Sequence, residues 1–496
     1  MDQGNAATGT APGAQGIAAM DALAQAAAVR AKEISPVELV EHALDRIAAH
    51  NEALGAFVTL TEESARAAAK AAEQRLATED PATLPPLFGV PTAIKDLTAT
   101  AGVRTMHGSA AFAEHVPQHD AHSVQLLRAA GTISLGKTNT PEFGVASYTA
   151  SDVAPIARTP WDTRLSAGGS SGGAAAAVAA GIVPIAHGSD GGGSLRIPAS
   201  VCGIVGFKPS RGRVSSAPEP NVAGLAVEGP LARTVRDAAA LLDVLSVPSP
   251  GDPYWAQPLP PGETFLAHAQ REPGRLRIAR YADLGETGQA VDPDCRAAYE
   301  DATALLTGLG HEVEEIPNPF VDAIGSIFFP LWGVQSLRYE VPEEKEHLLR
   351  PLTRFWRRQG RTVSGEQLFR ALAAAQTLTR RVIEATSPYD AVLTPTLGLP
   401  PQPLSFFEGP EGRDTEPTDD QLVAELRRQS LFTPFTSALN ITGQPAVSLP
   451  LHWNTAGLPI GVSLAGRPAG EGPLLSLCAQ VEAARPWVGR WPVLSA

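Results

Sequence analysis

Lysine is scarce in this chain, with six residues against 33 arginines among 496, so each lysine can be judged singly. Cysteine is scarcer still. Cys202, Cys295 and Cys478 have no paired spacing, which excludes a zinc knuckle and argues against a disulfide framework, so a reducing cytoplasm is expected. Long apolar runs are missing too. The longest, Ala174 to Ala186, is interrupted by Gly181 and Pro184 and is too short to span a bilayer; it reads as a buried helix. The first residues, MDQGNAATGTAPGAQG, lack the basic and apolar regions of a signal peptide, and 1–17 reads as a disordered tail. Basic excess is absent: the net charge is −13, which argues against a nucleic-acid or anionic-membrane surface, so neither partner is expected. His115, His119 and His122 lie in the polar HVPQHDAH with no helical face, so they are expected in solvent, and neither metal nor cofactor is expected.

What is present is a soluble-type composition, 44% hydrophobic and 18% charged, long enough for one large domain or several small ones. Residues 18–80 read as N-terminal helices packing on a core. Ser35-Pro36-Val37-Glu38 carries an N-cap serine, a first-turn proline and the capping-box glutamate, followed by Leu39, Val40, Ala43, Leu44 and Ile47 at helical spacing. Residues 81–245 alternate short apolar stretches (LFGVPTAIKD, GTISLGKT, CGIVGFKP) with glycine turns and helical stretches, the pattern of an α/β layer. Residues 246–400 open with the proline-rich surface loop VPSPGDPYWAQPLPPG. RLRIARY, HEVEEI and DAVLTPT follow as strands, 292–308 as a helix, and 320–386 as mostly helical. There Phe328, Phe329 and Trp332 suit either an apolar lid over a pocket or a helix core. In 401–496 the stretch 406–420 is acidic, turn-rich and expected exposed; QPAVSLPL and PIGVSLAG form a hairpin, and a last helix covers 471–484, completing the same α/β domain.

Two glycine-rich turns carry serines, GGSSGG at 168–173 and DGGGSLRIP around Ser194. A phosphate loop needs a lysine and a hydroxyl after its last glycine, and a dinucleotide loop needs Gly-x-Gly-x-x-Gly; neither occurs here. Gly168 to Gly172 matches Gly-x-Ser-x-Gly, but TPWDTRLSA before it is poor strand material, and His452 is the only late histidine. Ser134-Leu-Gly-Lys137 matches Ser-x-x-Lys without its companion motifs, so Lys137 reads as structural. A serine nucleophile without histidine remains. It needs a base, and a free lysine is uncharged in roughly one molecule in two thousand at pH 7. Burial lowers that barrier. Lys95 ends an apolar run, GVPTAIKDL, the setting of such a base; pairing with adjacent Asp96 explains it equally well.

Together GVPTAIKDL, GKTNTPEFG (136–144), GGSSGG, DGGGSLRIPA and GFKPSRGRVS (206–215) resemble the amidase signature family, serine hydrolases acting on carboxamides. NITGQPAVSLP and GLPIGVSLAGRP resemble its closing elements, so the likeness spans about 25 to 490. The intervals of 75 residues from Lys95 to Ser170 and 24 from Ser170 to Ser194 match the family's own. PASVCGIVGFKP with RGRVS and NVAG is most similar to bacterial amidases of nylon-type aminohexanoate oligomers. Gly191 stands where threonine or isoleucine is common, and Ala174 where serine or glutamate is.

The resemblance implies a large mixed β-sheet between layers of helices, and an amidohydrolase acting on linear or cyclic amides. It implies Ser194 as nucleophile, Ser170 as bridging serine after a cis Gly169–Ser170 peptide, and Lys95 as base. It further implies an acyl-enzyme and an oxyanion hole from the N–H groups of Gly191, Gly192, Gly193 and Ser194. Ser171 is expected to support the relay by hydrogen bonding. Asp190 and Arg196 are expected to pair and hold the loop, and His187 to be a satisfied core histidine. The expected partner is a small-molecule amide or carbamate, and a homodimer is compatible. Carbamates and esters share the acyl-transfer geometry, which leaves urethanase or esterase activity open. A subunit of an amidotransferase assembly is the reading from another class.

Overall fold

The computed structural model describes residues 16–284, 290–320, 324–409 and 416–494. Most of the expected N-terminal tail therefore lies outside the described residues, and Gly16–Ala19 forms a single turn of 3-10 helix.

Among the described residues eleven strands make two sheets. A small one has the order β1 (Phe57–Leu60), β3 (Ile133–Thr138), β2 (Pro91–Lys95). The large one uses β4 (Ile185–Asp190), β5 (Val205–Lys208), β6 (Val227–Ala232), β7 (Arg277–Arg280), β8 (Glu312–Glu315), β9 (Ala391–Pro395), β10 (Ala446–Trp453) and β11 (Pro459–Gly466). Its order is β4-β6-β5-β10-β11-β9-β7-β8, antiparallel from β4 to β9 and parallel among β9, β7 and β8. The sheet is mixed, and helices pack against it, as an α/β fold requires. No helix of the described residues is long and apolar enough to cross a membrane.

Local chemistry explains the frame. The helix Pro36–Leu54 starts in a complete capping box, with Ser35 Oγ accepting from Glu38 N and Glu38 accepting from Ser35 N, and it ends at Gly55 with φ 56°. A Cβ at Gly55 would meet the Ile156 carbonyl at 2.4 Å, so only glycine closes that turn. The alanine run forms the helix Gly172–Ala179, buried at every position; small side chains let it pass close to β4. Strand β2 also lies beside β4, where Thr92 Oγ1 donates to the Ile185 carbonyl at 3.1 Å. The last helix is Glu471–Ala484.

The region 320–386 folds as helices Ile324–Gln335, Pro351–Thr362 and Gly365–Thr386. The first two touch backbone to backbone: a Cβ on Gly360 would lie 2.2 Å from the Gly333 carbonyl. The expectation that 406–420 is wholly exposed is corrected at its start. Phe407 sits fully buried in the short helix Leu404–Glu408, between Tyr148 and Phe432; residues 410–415 fall outside the described residues.

Candidate active site

Lys95 is the last residue of β2, a strand buried at all its positions, and its side-chain nitrogen is delivered into the core with no solvent exposure. Nζ lies 2.7 Å from Ser170 Oγ, 2.8 Å from Ser171 Oγ and 3.0 Å from Ser189 Oγ. Among the described residues it makes no ion pair; Asp96 instead accepts from the N–H groups of Met106 and Gly108. Burial pushes the Lys95 pKa well below its ordinary value; Asp190 opposes that shift, Arg338 adds to it and Glu228 opposes it. The pairing of Lys95 with Asp96 is therefore not what the fold builds.

The turn ahead of the Gly172–Ala179 helix brings the two serines to that nitrogen. The Gly169–Ser170 peptide is cis. A Cβ on Gly169 would lie 2.6 Å from the Tyr148 carbonyl oxygen, so the turn has no room for a side chain there. Ser171 Oγ donates to the Ser189 carbonyl at 3.1 Å. Ser189, the penultimate residue of β4, escaped the sequence reading; its position two residues before the glycine run was the only available signal.

Past β4, residues Gly191 to Ser194 form the second turn. Ser171 N–H donates to the Ser194 carbonyl at 3.3 Å, which ties the two turns together. Ser194 lines a cavity of about 400 Å³, and among the described residues its hydroxyl makes no hydrogen bond, to Ser170 or otherwise. Beneath the turn is a buried ion pair. Arg196 Nε and Nη2 reach Asp190 Oδ2 and Oδ1 at 2.9 and 3.0 Å, with both side chains fully buried. Burial raises the Asp190 carboxyl, but Arg196, Lys208 and Asn440 together outweigh it and hold the group well below the usual carboxylate range. Asn440, some 250 residues away, joins by donating to Asp190 Oδ1 and accepting from Arg196.

One expectation is corrected here. The Gly193 N–H, assigned to the oxyanion, donates to Asp190 Oδ1 at 2.7 Å, and Thr436 Oγ1 donates to the Gly192 carbonyl at 2.7 Å. The Gly192–Gly193 peptide is thus held at both ends, its N–H turned away from any substrate carbonyl. The need for glycine also has a different cause at each position. A Cβ at Gly191 would meet Trp332 at 3.1 Å, at Gly192 Phe328 at 3.1 Å, and at Gly193, with φ 128°, Thr436 Oγ1 at 2.4 Å.

The remaining candidates lie elsewhere. His187 is fully buried on β4 with Nε2 3.2 Å from Glu228. His115 and His119 are exposed and His122 half-buried, and no metal-holding group occurs among the described residues. Lys137 is buried on β3, donating to the Thr98 carbonyl and, at 3.0 Å, to Thr100 Oγ1.

The sequence profile of the amidase family matches residues 38–475 of this chain. The chain belongs to the amidase signature family. It is an amidase, a hydrolase acting on amides. It is 37% identical to a 6-aminohexanoate-cyclic-dimer hydrolase of Pseudomonas sp. (strain NK87), over 96% of each chain. The solved structure of a 6-aminohexanoate cyclic dimer hydrolase complexed with substrate superposes on this amidase with a TM-score of 0.84 at 34% identity, covering 96% of this chain and 99% of the other. A bacterial aryl acylamidase of the same family superposes with a TM-score of 0.83 at 28% identity, covering 95% and 99%.

Proposed function

We propose that this amidase cleaves neutral amides through an acyl-enzyme on Ser194, with Lys95 as base and Ser170 as proton relay. One observation carries the reading: an amine sealed from solvent, touching three hydroxyls and, at 3.4 Å, the Ser189 carbonyl, and no carboxylate. Such an amine is neutral, with two N–H groups and one lone pair. Ser171 has committed its own proton to the Ser189 carbonyl, so it accepts from Nζ. Ser170 has no other partner among the described residues, and its O–H is the one free to face the lone pair. Lys95 takes the Ser170 proton as Ser170 takes that of Ser194, and the Ser194 oxygen attacks the carbonyl. The Ser194 hydroxyl closes onto Ser170 when substrate fills the cavity; catalytic hydrogen bonds are often loose before that. Running the relay backwards protonates the leaving amine, and water then hydrolyses the acyl-enzyme by the same path.

The N–H groups of Gly191, Gly192 and Ser194 are the donors proposed for the oxyanion, with Asp190 and Arg196 fixing the turn that carries them. The substrate class follows from the cavity. Phe320, Phe328 and Trp332 wall it, and no charged side chain lines it among the described residues. A carboxylate or ammonium would enter without a partner at high cost. Two relatives named as hydrolases of 6-aminohexanoate cyclic dimer support a neutral linear or cyclic amide. Three buried, free cysteines fit a reducing cytoplasm.

The test is covalent labelling. A fluorophosphonate probe is expected to modify Ser194 alone, and Ser194→Ala to lose about ten-thousandfold or more in kcat. A label on another residue, read by peptide mass spectrometry, removes the assignment.

A further inference from the structure

A second apolar hollow, of about 790 Å³, lies outside the catalytic cavity between the helices Ile324–Gln335, Pro351–Thr362 and Asp419–Phe432. The two spaces share four wall residues, Phe329, Trp356, Leu426 and Ser430. The partition between them is therefore one side chain thick. Its core is the stacked pair Phe329 and Trp356, ring centroids 5.6 Å apart, with Phe329 43% exposed and Trp356 only 4%. The outer walls are Pro330, Phe355, Val423 and Leu431, and the large apolar side chains Val423 and Leu431 stand exposed there. Exposed apolar side chains gathered around a hollow mark a binding surface rather than scatter. The Trp356 indole N–H is buried without an acceptor among the described residues. A group that reaches it with a carbonyl would satisfy it.

We propose that this outer hollow is a second subsite, which takes the distal apolar arm of an elongated amide while its scissile carbonyl lies at Ser194. The proposal rests on the reading of Ser194 as nucleophile. Three features commit the hollow to that occupant. It joins the catalytic cavity through shared walls; it continues the same aromatic lining; and among the described residues its one charged wall residue is Arg427, at its exposed outer face. Of the two partition rings Phe329 is the exposed one, and Trp356 is packed in.

The test is a series of linear acyl p-nitroanilides of increasing chain length. In the wild-type protein kcat/KM is expected to climb about threefold for each methylene that enters the outer hollow. Val423→Trp, on an exposed helix face, fills the hollow and is expected to lower the long-to-short ratio of kcat/KM about tenfold; Leu431→Trp serves the same end should that variant not fold. Phe329→Ala, which opens the partition, is expected to raise the ratio. A ratio that stays at the wild-type value when the hollow is filled overturns the subsite while short anilides still turn over. Absence of turnover on every anilide instead overturns the nucleophile reading, and the subsite with it.

Discussion

Lys95 and Lys137 end up at the same depth on neighbouring strands and yet live in different chemistry. Both are fully buried, one at the end of β2 and one on β3. Burial pulls both below the ordinary lysine value of 10.5. Lys137 reaches only about 8, because Asp96, Glu228 and Asp120 favour its charge, and its contacts are a carbonyl and a hydroxyl that accept from an ammonium. Lys95 is lowered well below that value by burial, and its contacts are the hydroxyls of three serines, with the Ser189 carbonyl at 3.4 Å. Depth alone does not make a base; what surrounds the nitrogen decides whether it keeps its proton at neutral pH.

The sharpest way to break this contrast is Lys95→Ala. We expect kcat to fall about a thousandfold or more with the fold intact by circular dichroism. Near-normal turnover would remove Lys95 as base and leave the two lysines equivalent. A smaller effect is expected at β3. Lys137→Met leaves the buried Thr98 carbonyl without its donor, at a cost of about 1–3 kcal/mol in denaturant unfolding, while most turnover per folded molecule survives. The gentlest probe is pH. The folded Lys95 pKa lies below its unfolded value, so the unfolded chain binds a proton the folded one does not. This group's contribution to stability therefore rises with pH up to about 10.5 and falls away towards acid. Activity follows the neutral amine: the acid limb of kcat/KM should lie well below pH 10.5, and kcat/KM should fall as acid protonates Lys95. A rise centred near 10.5 would mean an ordinary, solvated lysine.

Much of this was legible in the chain because it is local. The apolar runs that end at Lys95, Lys137 and Lys208, and the hairpin before the final helix, are bounded by glycine and proline, and they fold as β2, β3, β5, β10 and β11. The capping box at Ser35 marks its helix to the residue. What stayed hidden comes from long range. Asn440 and Thr436 reach the Ser194 turn from about 250 residues away. Nothing in Asp190-Gly-Gly-Gly-Ser says that Asp190 will turn back onto the Gly193 N–H, which depends on the fixed position of Arg196. Nor could the sequence choose between lid and core for Phe328 and Trp332. They rest on Gly192 and Gly191 because the helix that carries them is placed by another helix.

That placement depends on the meeting of Gly333 and Gly360, which allows two helical backbones to touch. One methyl at Gly360 must drive those helices apart, and with them Trp332 and Trp356, the indoles that wall the space before Ser194. The width of the space before Ser194 is thus set partly by a contact that lies outside it, and a change there would reshape that space without altering a single residue of the serine turns.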